Sequence, residues 1–556
     1  MIIGIDLGTS NSLAGVYKDG RVQLIPGGNG AYIIPSVVSI DDDGAVYVGD
    51  LAKERLITHP DKTAAMFKRN IGTKETYNLA GHTYTAESLS AILLQSIKQN
   101  AEKYLGEEIK EAVISVPAFF LNPQRQAVLR AAKLAGLQVK KIINEPTAAA
   151  IAYNIAESNE SDDSQRVIMV LDLGGGTFDI SIMEATNEVM EVIAVCGDNK
   201  LGGRNFTNKM MELFLQKCNL GAISSPQDKE KLWKSAEKAK RILSEQGEAT
   251  VSCVIGDELY TCKVTEEEYT EACRDLLEKM RKLIMRAVAE SKYQSFEIDE
   301  IILIGGGTRL SIVKKLIEKI SGKKADYKIN PDEAVVYGAA LQGALYEKNH
   351  DLKNVVMTDV CPYYIGGCRF KSGRKFDGVL LKDVLIPKNH IIPACISDKL
   401  YSYPEENTLY VYQMEDEFGA NEVLLGEVKF IVPYTQNEKT EIVRRVIFDS
   451  HGIIHHEVYI PCMDKTYTTS FSEMDDNDVE EVSQELEKLR YMSEEDENSI
   501  LIAKAESLYC ECIGEERERI GDLIGELEKA LKLGKKRKRQ ITAARKAVSD
   551  FIERYE

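Results

Sequence analysis

GIDLGTS at residues 4–10 and LDLGGGTFD at residues 171–179 decide the fold, because the two stretches share one pattern. Each reads as a strand, an acid, a glycine turn and a return strand, which is the pattern of a hairpin. Glycines let backbone N–H groups wrap phosphate oxygens, and an acid at a strand end can hold a hydrated Mg²⁺ ion. Two such turns predict two halves of a domain that face one nucleotide.

A third glycine turn, IGGGTR at residues 304–309, follows a predicted strand and precedes a helical pattern. Its backbone could approach an adenosine or a phosphate. One glycine cluster alone is an ordinary turn, but three of them after strands strongly indicate a nucleotide site. The sequence has no G-x-x-x-x-G-K-[ST] pattern, and no G-x-G-x-x-G opens a crossover helix near the start. P-loop and dinucleotide folds are therefore disfavoured.

The 556 residues are too many for one core, since single cores stop growing at about 250–300 residues. Over the first 350 residues, strands alternate with helices, which predicts α/β layers. The clearest strands are predicted at 2–7, 112–116, 167–171 and 301–304, and the clearest helices at 89–105 and 123–134. Strands at 407–413, 427–432 and 442–448 predict a separate β unit, and helical spacing at 482–489 and 520–531 predicts a helical third unit.

Composition narrows the class of protein. Hydrophobic residues make up 44% and charged residues 28%, and no apolar run approaches the roughly 20 residues of a membrane helix. The net charge of −18 argues against nucleic-acid binding. The first residues show no signal peptide, so we expect a cytoplasmic protein whose 11 cysteines are free thiols.

Longer segments carry a resemblance to a known family. VISVPAFF at 113–120, IINEPTAAA at 142–150, EKAKR at 237–241 and NPDEA at 330–334 are similar to the ATPase domain of the DnaK (heat shock protein 70) chaperones, within the actin and sugar-kinase superfamily. HPDKTAAMFKR at 59–69 most resembles the short HscC-type members.

This resemblance implies a multidomain protein. Residues 1–352 would form an actin-like (ribonuclease H-like) α/β ATPase domain, 353–360 a hydrophobic linker, 361–470 a β-sandwich for client peptides, and 471–556 a short α-helical lid or tail. The implied function is an ATP-dependent chaperone that binds and releases exposed segments of unfolded proteins. ATP or ADP, Mg²⁺ held largely through water and a K⁺ ion are the implied cofactors.

The resemblance also assigns roles to single residues. The implied catalytic residues are Asp6, Lys68, Glu145, Asp172 and Thr177, and the implied metal-binding residues are Asp6, Asp172 and Asp179. The implied nucleotide contacts are Gly8, Thr9, Ser10, Gly174, Gly175, Gly176, Gly202, Gly203, Glu237, Lys240, Arg241, Ser244, Gly305, Gly306, Arg309 and Asp332. Phosphoryl transfer needs positioning and charge compensation more than a covalent nucleophile, and this set supplies carboxylates, a lysine and backbone donors.

Further residues are implied in coupling and client binding. The coupling set is Pro117, Arg125, Val355, Val356, Met357 and Asp359, and the peptide-binding set is Phe370, Tyr401, Tyr403 and Leu409. The implied partners are unfolded clients and a J-domain co-chaperone, with no nucleic acid and no membrane. Use of a nucleotide exchange factor stays open.

The sequence alone leaves three alternatives open, one for the segment at 354–360 and two for the class of protein. The apolar segment NVVMTDV at 354–360 is, on composition alone, better read as the first strand of the β unit than as a linker. A sugar-type kinase on the same fold would use Asp172 or a neighbour as a general base, and would not need the β and helical units. An actin-like filament protein would end near residue 350.

Overall fold

The computed structural model describes residues 1–157, 165–186, 189–325, 327, 329–347, 356–368, 382–402, 404, 406–433, 439–469, 482–484, 486, 488–492, 497–532 and 538–555. Its α/β part contains strands β1 Ile2–Asp6, β2 Asn11–Lys18, β3 Arg21–Ile25, β4 Ile34–Pro35, β5 Val37–Ile40, β6 Ala45–Val48, β7 Thr63–Ala65, β8 Thr76–Leu79, β9 His82–Thr85, β10 Glu111–Val116, β11 Gln138–Asn144, β12 Arg166–Leu173, β13 Phe178–Ala185, β14 Val189–Asp198, β15 Glu248–Ile255, β16 Glu258–Thr265 and β17 Glu300–Ile304. Its helices are α1 Asp50–Thr58, α2 Ala86–Leu105, α3 Asn122–Leu134, α4 Glu145–Glu157, α5 Gly203–Lys217, α6 Pro226–Gln246, α7 Glu266–Ala272, α8 Arg274–Ser291, α9 Ser311–Ser321 and α10 Ala334–Tyr346. The predicted strands and helices of this part are confirmed, with ends that differ by at most three residues.

Two sheets repeat one arrangement. In the first, β1, β2 and β3 are antiparallel neighbours, and β10 and β11 add to β1 in parallel. In the second, β12, β13 and β14 are antiparallel neighbours, and β17 adds to β12 in parallel. The two hairpins β1–β2 and β12–β13 therefore occupy matching places, with a glycine turn at the end of each. We call the parts built on these sheets lobe I and lobe II.

Helices α4 and α10 cross between the two lobes. Helix α10 packs against β1, β2 and α4. The crossing is so close that a Cβ on Gly338 would lie 1.7 Å from the carbonyl oxygen of Ala148. Glycine is therefore required where the two helix backbones meet.

The β part contains β18 Val356–Val360, β19 Tyr364–Cys368, β20 Lys382–Ile386, β21 Ile391–Ile392, β22 Ala394–Ser402, β23 Glu406–Met414, β24 Val423–Ile431, β25 Thr440–Phe448, β26 Ile454–Ile460 and β27 Lys465–Thr468. One sheet has the order β20-β19-β23-β24 and the other β22-β25-β26-β27. Along β25 buried and half-buried side chains alternate, as expected for a strand with one face in a core. The three strands predicted here at 407–413, 427–432 and 442–448 are confirmed as parts of β23, β24 and β25.

Strand β18 lies at the junction of the α/β and β parts. It pairs in parallel with β14 of lobe II, from Val356 opposite Val189 to Thr358 opposite Glu191. It also pairs with β21 in antiparallel register. The segment is thus a strand, as its composition suggests, but it extends the second α/β sheet.

The C-terminal part is mostly helical, with α11 Glu497–Glu511, α12 Gly514–Lys532 and α13 Lys538–Ile552. The prediction of a helix over 482–489 is wrong at its end, because Lys488 lies in a turn and β28 Arg490–Tyr491 pairs in parallel with β6 of lobe I. A strand of only two residues is too short for its sequence to predict it. The extended conformation of Arg490 and Tyr491 is set by their pairing with β6. Among the described residues, no helix is both long and apolar enough to cross a membrane.

Replacing Gly338 by alanine should destabilise the α/β part by about 1–3 kcal/mol, because the new methyl group overlaps the backbone of α4. Differential scanning calorimetry of the nucleotide-free protein would show this as a lower melting temperature. The control is Gly525→Ala in α12, where nothing lies within 4 Å of the new Cβ. Equal melting temperatures for Gly338→Ala and the control would contradict the close crossing.

Candidate active site

Four acids converge where the two hairpins face each other. Asp6 ends β1, Asp172 lies near the end of β12, and Asp179 stands directly opposite Asp172 in the β12–β13 hairpin. Glu145 joins them from the start of α4. Asp172, Asp179 and Glu145 are buried and Asp6 is partly buried. Each lobe thus contributes acids to one small volume.

Hydrogen bonds hold two of these acids in place. The Ser115 hydroxyl donates to Oδ1 of Asp6 over 2.8 Å. The backbone N–H of Phe119 donates to Oδ1 of Asp179 over 3.1 Å. The second oxygen of Asp179, Oδ2, is buried and has no hydrogen-bond partner within the described part of the chain. That oxygen is free to bind a ligand.

Lys68 supplies a cation to this volume. It lies in a 3₁₀ turn, Phe67–Asn70, and its side chain is only 2% exposed. Its Nζ lies 2.8 Å from Oε1 of Glu145 and 5.4 Å from the centre of the Phe120 ring. Lys68 is therefore a buried, paired lysine within the acid cluster, not a solvated surface residue.

Burial raises the pKa values of three acids in the cluster. Loss of water, together with repulsion from Glu145, raises the pKa of Asp6 to about 7. The same two causes raise the pKa of Asp179 to about 8. The pKa of Asp172 is also raised, by burial first and then by Glu145. One lysine does not offset the repulsion among four acids, so a bound cation would relieve it.

The donor set fits a hydrated Mg²⁺ ion. Carboxylate oxygens are the ligands that Mg²⁺ prefers, and it usually keeps several waters while it binds one or two carboxylates and substrate phosphates. Oδ2 of Asp179 has no hydrogen-bond partner among the described residues, and the pKa values of Asp6 and Asp179 are raised. Both features are expected of a site that binds a cation.

The glycine turns of the two lobes meet without room for side chains. A Cβ on Gly175 would lie 2.0 Å from Oγ of Ser10, and one on Gly176 would lie 3.0 Å from Cγ2 of Thr9. The structure therefore brings these predicted phosphate contacts together. Gly8 lies in the turn of lobe I, and the turn of lobe II contains Gly174 and the buried Thr177, whose carbonyl accepts a hydrogen bond from the N–H of Gly174.

The start of α5 packs against the glycine turn of lobe II. A Cβ on Gly202 would lie 2.6 Å from the backbone of Gly176, and the N–H of Gly203 donates to the carbonyl of Gly174 over 2.9 Å. The N–H of Arg204 likewise donates to the carbonyl of Gly175 over 3.0 Å, so the first N–H groups of α5 hold the glycine turn of lobe II in place.

Helix α6 carries a second group of residues that were predicted to contact the nucleotide. Nζ of Lys240 lies 2.6 Å from Oε2 of Glu237 and donates to the carbonyl of Gly203 over 3.3 Å. Burial lowers the pKa of Lys240, and although burial alone would raise the pKa of Glu237, Lys240 lowers it. Arg241 pairs with Glu237 over 3.2 Å, and Ser244 donates to the carbonyl of Lys240.

The third glycine turn packs against the acid cluster. Gly305 has a φ of 76°, and a Cβ on it would lie 2.8 Å from Oδ1 of Asp172. A Cβ on Gly306 would lie 3.4 Å from Asp332, which pairs with Arg309 over 2.7 Å. The third turn therefore lies beside the first two, as a single nucleotide site requires.

The predicted coupling residues meet at the junction with the β part. Buried Arg125 donates from Nη2 to Oδ1 of Asn144 over 2.6 Å, and Asn144 donates to Oδ2 of Asp359 over 2.5 Å. Pro117 begins the loop that leads from β10 to Arg125, and Met357 is half-buried in β18. Val355 lies outside the described residues, and only the backbone of Val356 is described.

The predicted peptide-binding residues are not brought together. Tyr401 is 64% exposed on the outer face of β22, whereas Leu409 is buried in the sandwich core. Phe370 and Tyr403 lie outside the described residues. The client-binding set therefore stays a prediction.

Sequence reasoning missed several residues at the junction. Asn144 links Arg125 to Asp359, and the Tyr363 hydroxyl donates to the carbonyl of Phe119. Nδ1 of His451 accepts a hydrogen bond from the N–H of Ile142 over 3.3 Å. Asn144 directly precedes Glu145, so its place in that segment is the one signal that the sequence offers.

This arrangement defines a nucleotide-hydrolysing protein, with two lobes, acids for a cation and glycine turns for phosphates. Comparisons with known proteins then identify the family. A family model described as "Hsp70 protein" matches residues 2–80 and 74–555. The chain belongs to the Hsp70 family, and it is an ATP-dependent chaperone that hydrolyses ATP.

Individual relatives agree with this assignment. "Chaperone protein DnaK" of Thermotoga neapolitana is 37% identical over 473 residues, which cover 82% of this chain and 77% of the relative. The protein of the same name from Thermotoga maritima gives the same identity and coverage, and that of Thermosipho africanus is 36% identical over 472 residues. These similarities give no support to the sugar-kinase alternative.

Asp6 and Asp179 should contribute progressively less to the stability of the nucleotide-free protein as pH rises from about 4 to 8. Folded Asp6 and Asp179 keep protons up to about pH 7 and 8, whereas in the unfolded chain they lose them near the ordinary aspartate pKa of 3.8, so for these two groups rising pH favours the unfolded state in this window. Chemical denaturation with a chelator present measures this. Asp179→Asn should be more stable than the wild type at pH 8 and not at pH 4.

The control for this measurement is Asp61→Asn, because Asp61 is exposed. A stability difference between Asp179→Asn and the wild type that is the same at pH 4 and pH 8 would contradict the raised pKa of Asp179. So would an Asp179→Asn variant that gains no stability at pH 8.

Proposed function

We propose that residues 1–352 form the actin-like ATPase domain, that residues 353–360 are the linker, and that residues 361–470 and 471–556 are the client sandwich and the helical lid or tail. The observation that carries the proposal is the buried Lys68–Glu145 pair among Asp6, Asp172 and Asp179. It supports ATP hydrolysis at the junction of lobes I and II, coupled to peptide capture and release in the sandwich.

In the proposed reaction, charge compensation comes from Lys68. Its ammonium group faces the acids and can approach the transferring phosphoryl group, where negative charge develops. Glu145 holds Lys68 in place and helps to order the attacking water. Thr9 and Thr177, on the turns of the two lobes, contact the γ-phosphate or that water.

The proposed cation site uses Asp6, Asp172 and Asp179. These carboxylates would hold Mg²⁺ largely through its waters, and a K⁺ ion would bind nearby. When bound, Mg²⁺ would neutralise charge on the phosphate oxygens. Burial and the hydrogen bonds from Ser115 and Phe119 keep the carboxylates oriented toward the cation before it binds.

The proposed coupling runs through β18. Asp359 accepts hydrogen bonds from Asn144 and Thr147 on the ATPase side, and Arg125 donates to Asn144 and to the carbonyl of His451 in the sandwich. The described arrangement is thus one in which the sandwich is docked. Release of this network would free the sandwich, which gives the second state that coupling needs.

The proposed partners are exposed segments of unfolded proteins and a J-domain co-chaperone, with an exchange factor left open. The proposed location is the cytoplasm. The closer likeness to the short HscC-type members, which rests on residues 59–69, also stays a prediction.

Lys68→Ala should keep ATP binding but lose at least about 100-fold in single-turnover hydrolysis, because the buried positive charge near the phosphoryl group is gone. The matched control is Lys62→Ala, a lysine six residues earlier that pairs with Asp42 near the surface. An unchanged rate of hydrolysis in Lys68→Ala would show that Lys68 does not assist phosphoryl transfer. Rapid phosphorylation of a sugar, with no stimulation of hydrolysis by peptide, would contradict the proposed coupling of hydrolysis to peptide capture.

Asp359→Ala should keep intrinsic ATP hydrolysis and lose its stimulation by an unfolded peptide, because Asn144 and Thr147 lose their acceptor in β18. Steady-state hydrolysis with and without peptide measures this. The control is Asp383→Ala in β20, an acid of the sandwich that lies away from this junction. Full stimulation in Asp359→Ala would exclude this network from coupling.

A further inference from the structure

The turn that joins β25 to β26 in the sandwich contacts lobe I. Nδ1 of His451 in this turn accepts a hydrogen bond from the backbone N–H of Ile142 on β11 over 3.3 Å. The carbonyl of His451 accepts from Nη1 of Arg125 over 3.4 Å, and the N–H of Ile454 donates to Oδ1 of Asn122 over 3.0 Å. The turn is therefore one of the places at which the sandwich is docked.

The contact between His451 and Ile142 requires a neutral imidazole. A backbone N–H can only donate, so Nδ1 of His451 must carry no proton to accept this bond. Strand β11 is the edge strand of its sheet, and no further strand of that sheet offers an acceptor on its outer side. Protonation of Nδ1 would set two N–H donors against each other and leave the N–H of Ile142 without its acceptor.

Hydrogen bonds within the turn fix the backbone from which His451 reaches β11. Oδ1 of Asp449 accepts from the N–H groups of His451 and Ile453 over 2.8 and 2.9 Å. Oδ2 of Asp449 lies 2.9 Å from Nε2 of His455. The turn therefore holds His451 in place through its own contacts.

On the side of lobe I, the imidazole faces two cations and one acid. Lys141 on β11, Arg125 on α3 and Asp359 on β18 line a cavity of about 80 Å³ together with His451. Asp359 is already engaged as the acceptor of Asn144 and Thr147. The cavity has room for water, which needs about 10–15 Å³ of such space per molecule, so protons can reach the imidazole in the docked state.

On its own side, His451 faces Asp449 and His455. Loss of water on docking is the first cause that lowers the pKa of His451, and Lys141 and His455 lower it further, against the attraction of Asp449. A sandwich that has left lobe I loses both the burial and the neighbouring Lys141. The pKa of His451 then returns toward the ordinary histidine value of about 6.5.

We propose that His451 makes docking of the sandwich sensitive to pH, because protonation of its imidazole breaks the contact with Ile142 and favours release of the sandwich from lobe I. The inference rests on the proposed coupling through docking, and it adds a condition under which the docked state is lost.

The direction of the effect follows from the two pKa values of His451. The docked imidazole binds a proton less readily than the released one, so docking is fully favoured above about pH 6.5 and weakens as pH falls below it. Burial raises the pKa of Asp359 in the docked state, so titration of Asp359 acts in the opposite direction. A test must therefore isolate His451 from the other groups that titrate.

The test uses the full chain with Mg²⁺ and a non-hydrolysable ATP analogue. Small-angle X-ray scattering at pH 7.5 and pH 5.5 measures the ratio of docked to released molecules. In His451→Asn the amide Oδ1 takes the place of Nδ1 as acceptor and does not titrate. Between these pH values the ratio should fall about three- to tenfold more in the wild type than in His451→Asn, the upper limit being that of one imidazole with a pKa of about 6.5 in the released state.

The matched control is His455→Gln, which removes the other histidine of the turn and keeps an N–H donor for Asp449. Its ratio should fall as that of the wild type does, and loss of the pH dependence in this variant instead would overturn the assignment to His451. Where the wild type is wholly docked at both pH values, the same comparison is made in an Asn122→Ala background, which weakens docking because the N–H of Ile454 loses its acceptor.

Two results separate this inference from the function on which it rests. An equal change of the ratio in the wild type and in His451→Asn overturns the role of His451 and leaves docking intact. A wild type that is released at both pH values with the ATP analogue bound overturns the proposed coupling through docking itself.

Discussion

Burial of four acids at one point between two lobes is the constraint on which the rest of this structure depends. Asp6 and Asp172 are there because one ends and the other nearly ends a strand that continues into a glycine turn, and the fold repeats that hairpin in both lobes. Repulsion and loss of water leave their pKa values raised, even beside Lys68. A cation bound among these acids would relieve the repulsion that raises their pKa values.

The loop after β10 connects this cluster to the sandwich through a single residue. The N–H of Phe119 donates to Asp179, and its carbonyl accepts from the hydroxyl of Tyr363 in the β part. The rings of Phe119 and Tyr363 also pack with centroids 4.5 Å apart. A change at Asp179 that moves this loop must therefore disturb a contact with the sandwich. Coupling can begin at the acid itself, without a long chain of intermediates.

The glycine turns, and Asp6 and Asp172 beside them, were predictable from the sequence, because close backbone contact restricts those positions to glycine and because both acids stand at or near strand ends, whereas Glu145 and Asp179 rested on the family resemblance. The partner of β18 was not predictable, since an apolar strand suits either neighbouring sheet and only the assembled fold offers β14. The burial of Arg444 was not predictable from the sequence either. An arginine inside an alternating pattern is expected to point outward, and its inward position depends on Asp398 and Gly367, which are distant in sequence.

The helical tail shows how the docked arrangement can be reversible. Helix α11 packs against α1 of lobe I, while Lys234 of lobe II pairs with Glu511 of the tail over 2.7 Å and with Glu54 of lobe I over 3.6 Å. Lys234 is half exposed, and exposed ion pairs contribute only about 0.2–1 kcal/mol each. The two-residue pairing of β28 with β6 adds little more. The tail therefore touches both lobes, so a change in the angle between the lobes would alter its packing on α1 and its ion pair with Lys234 together.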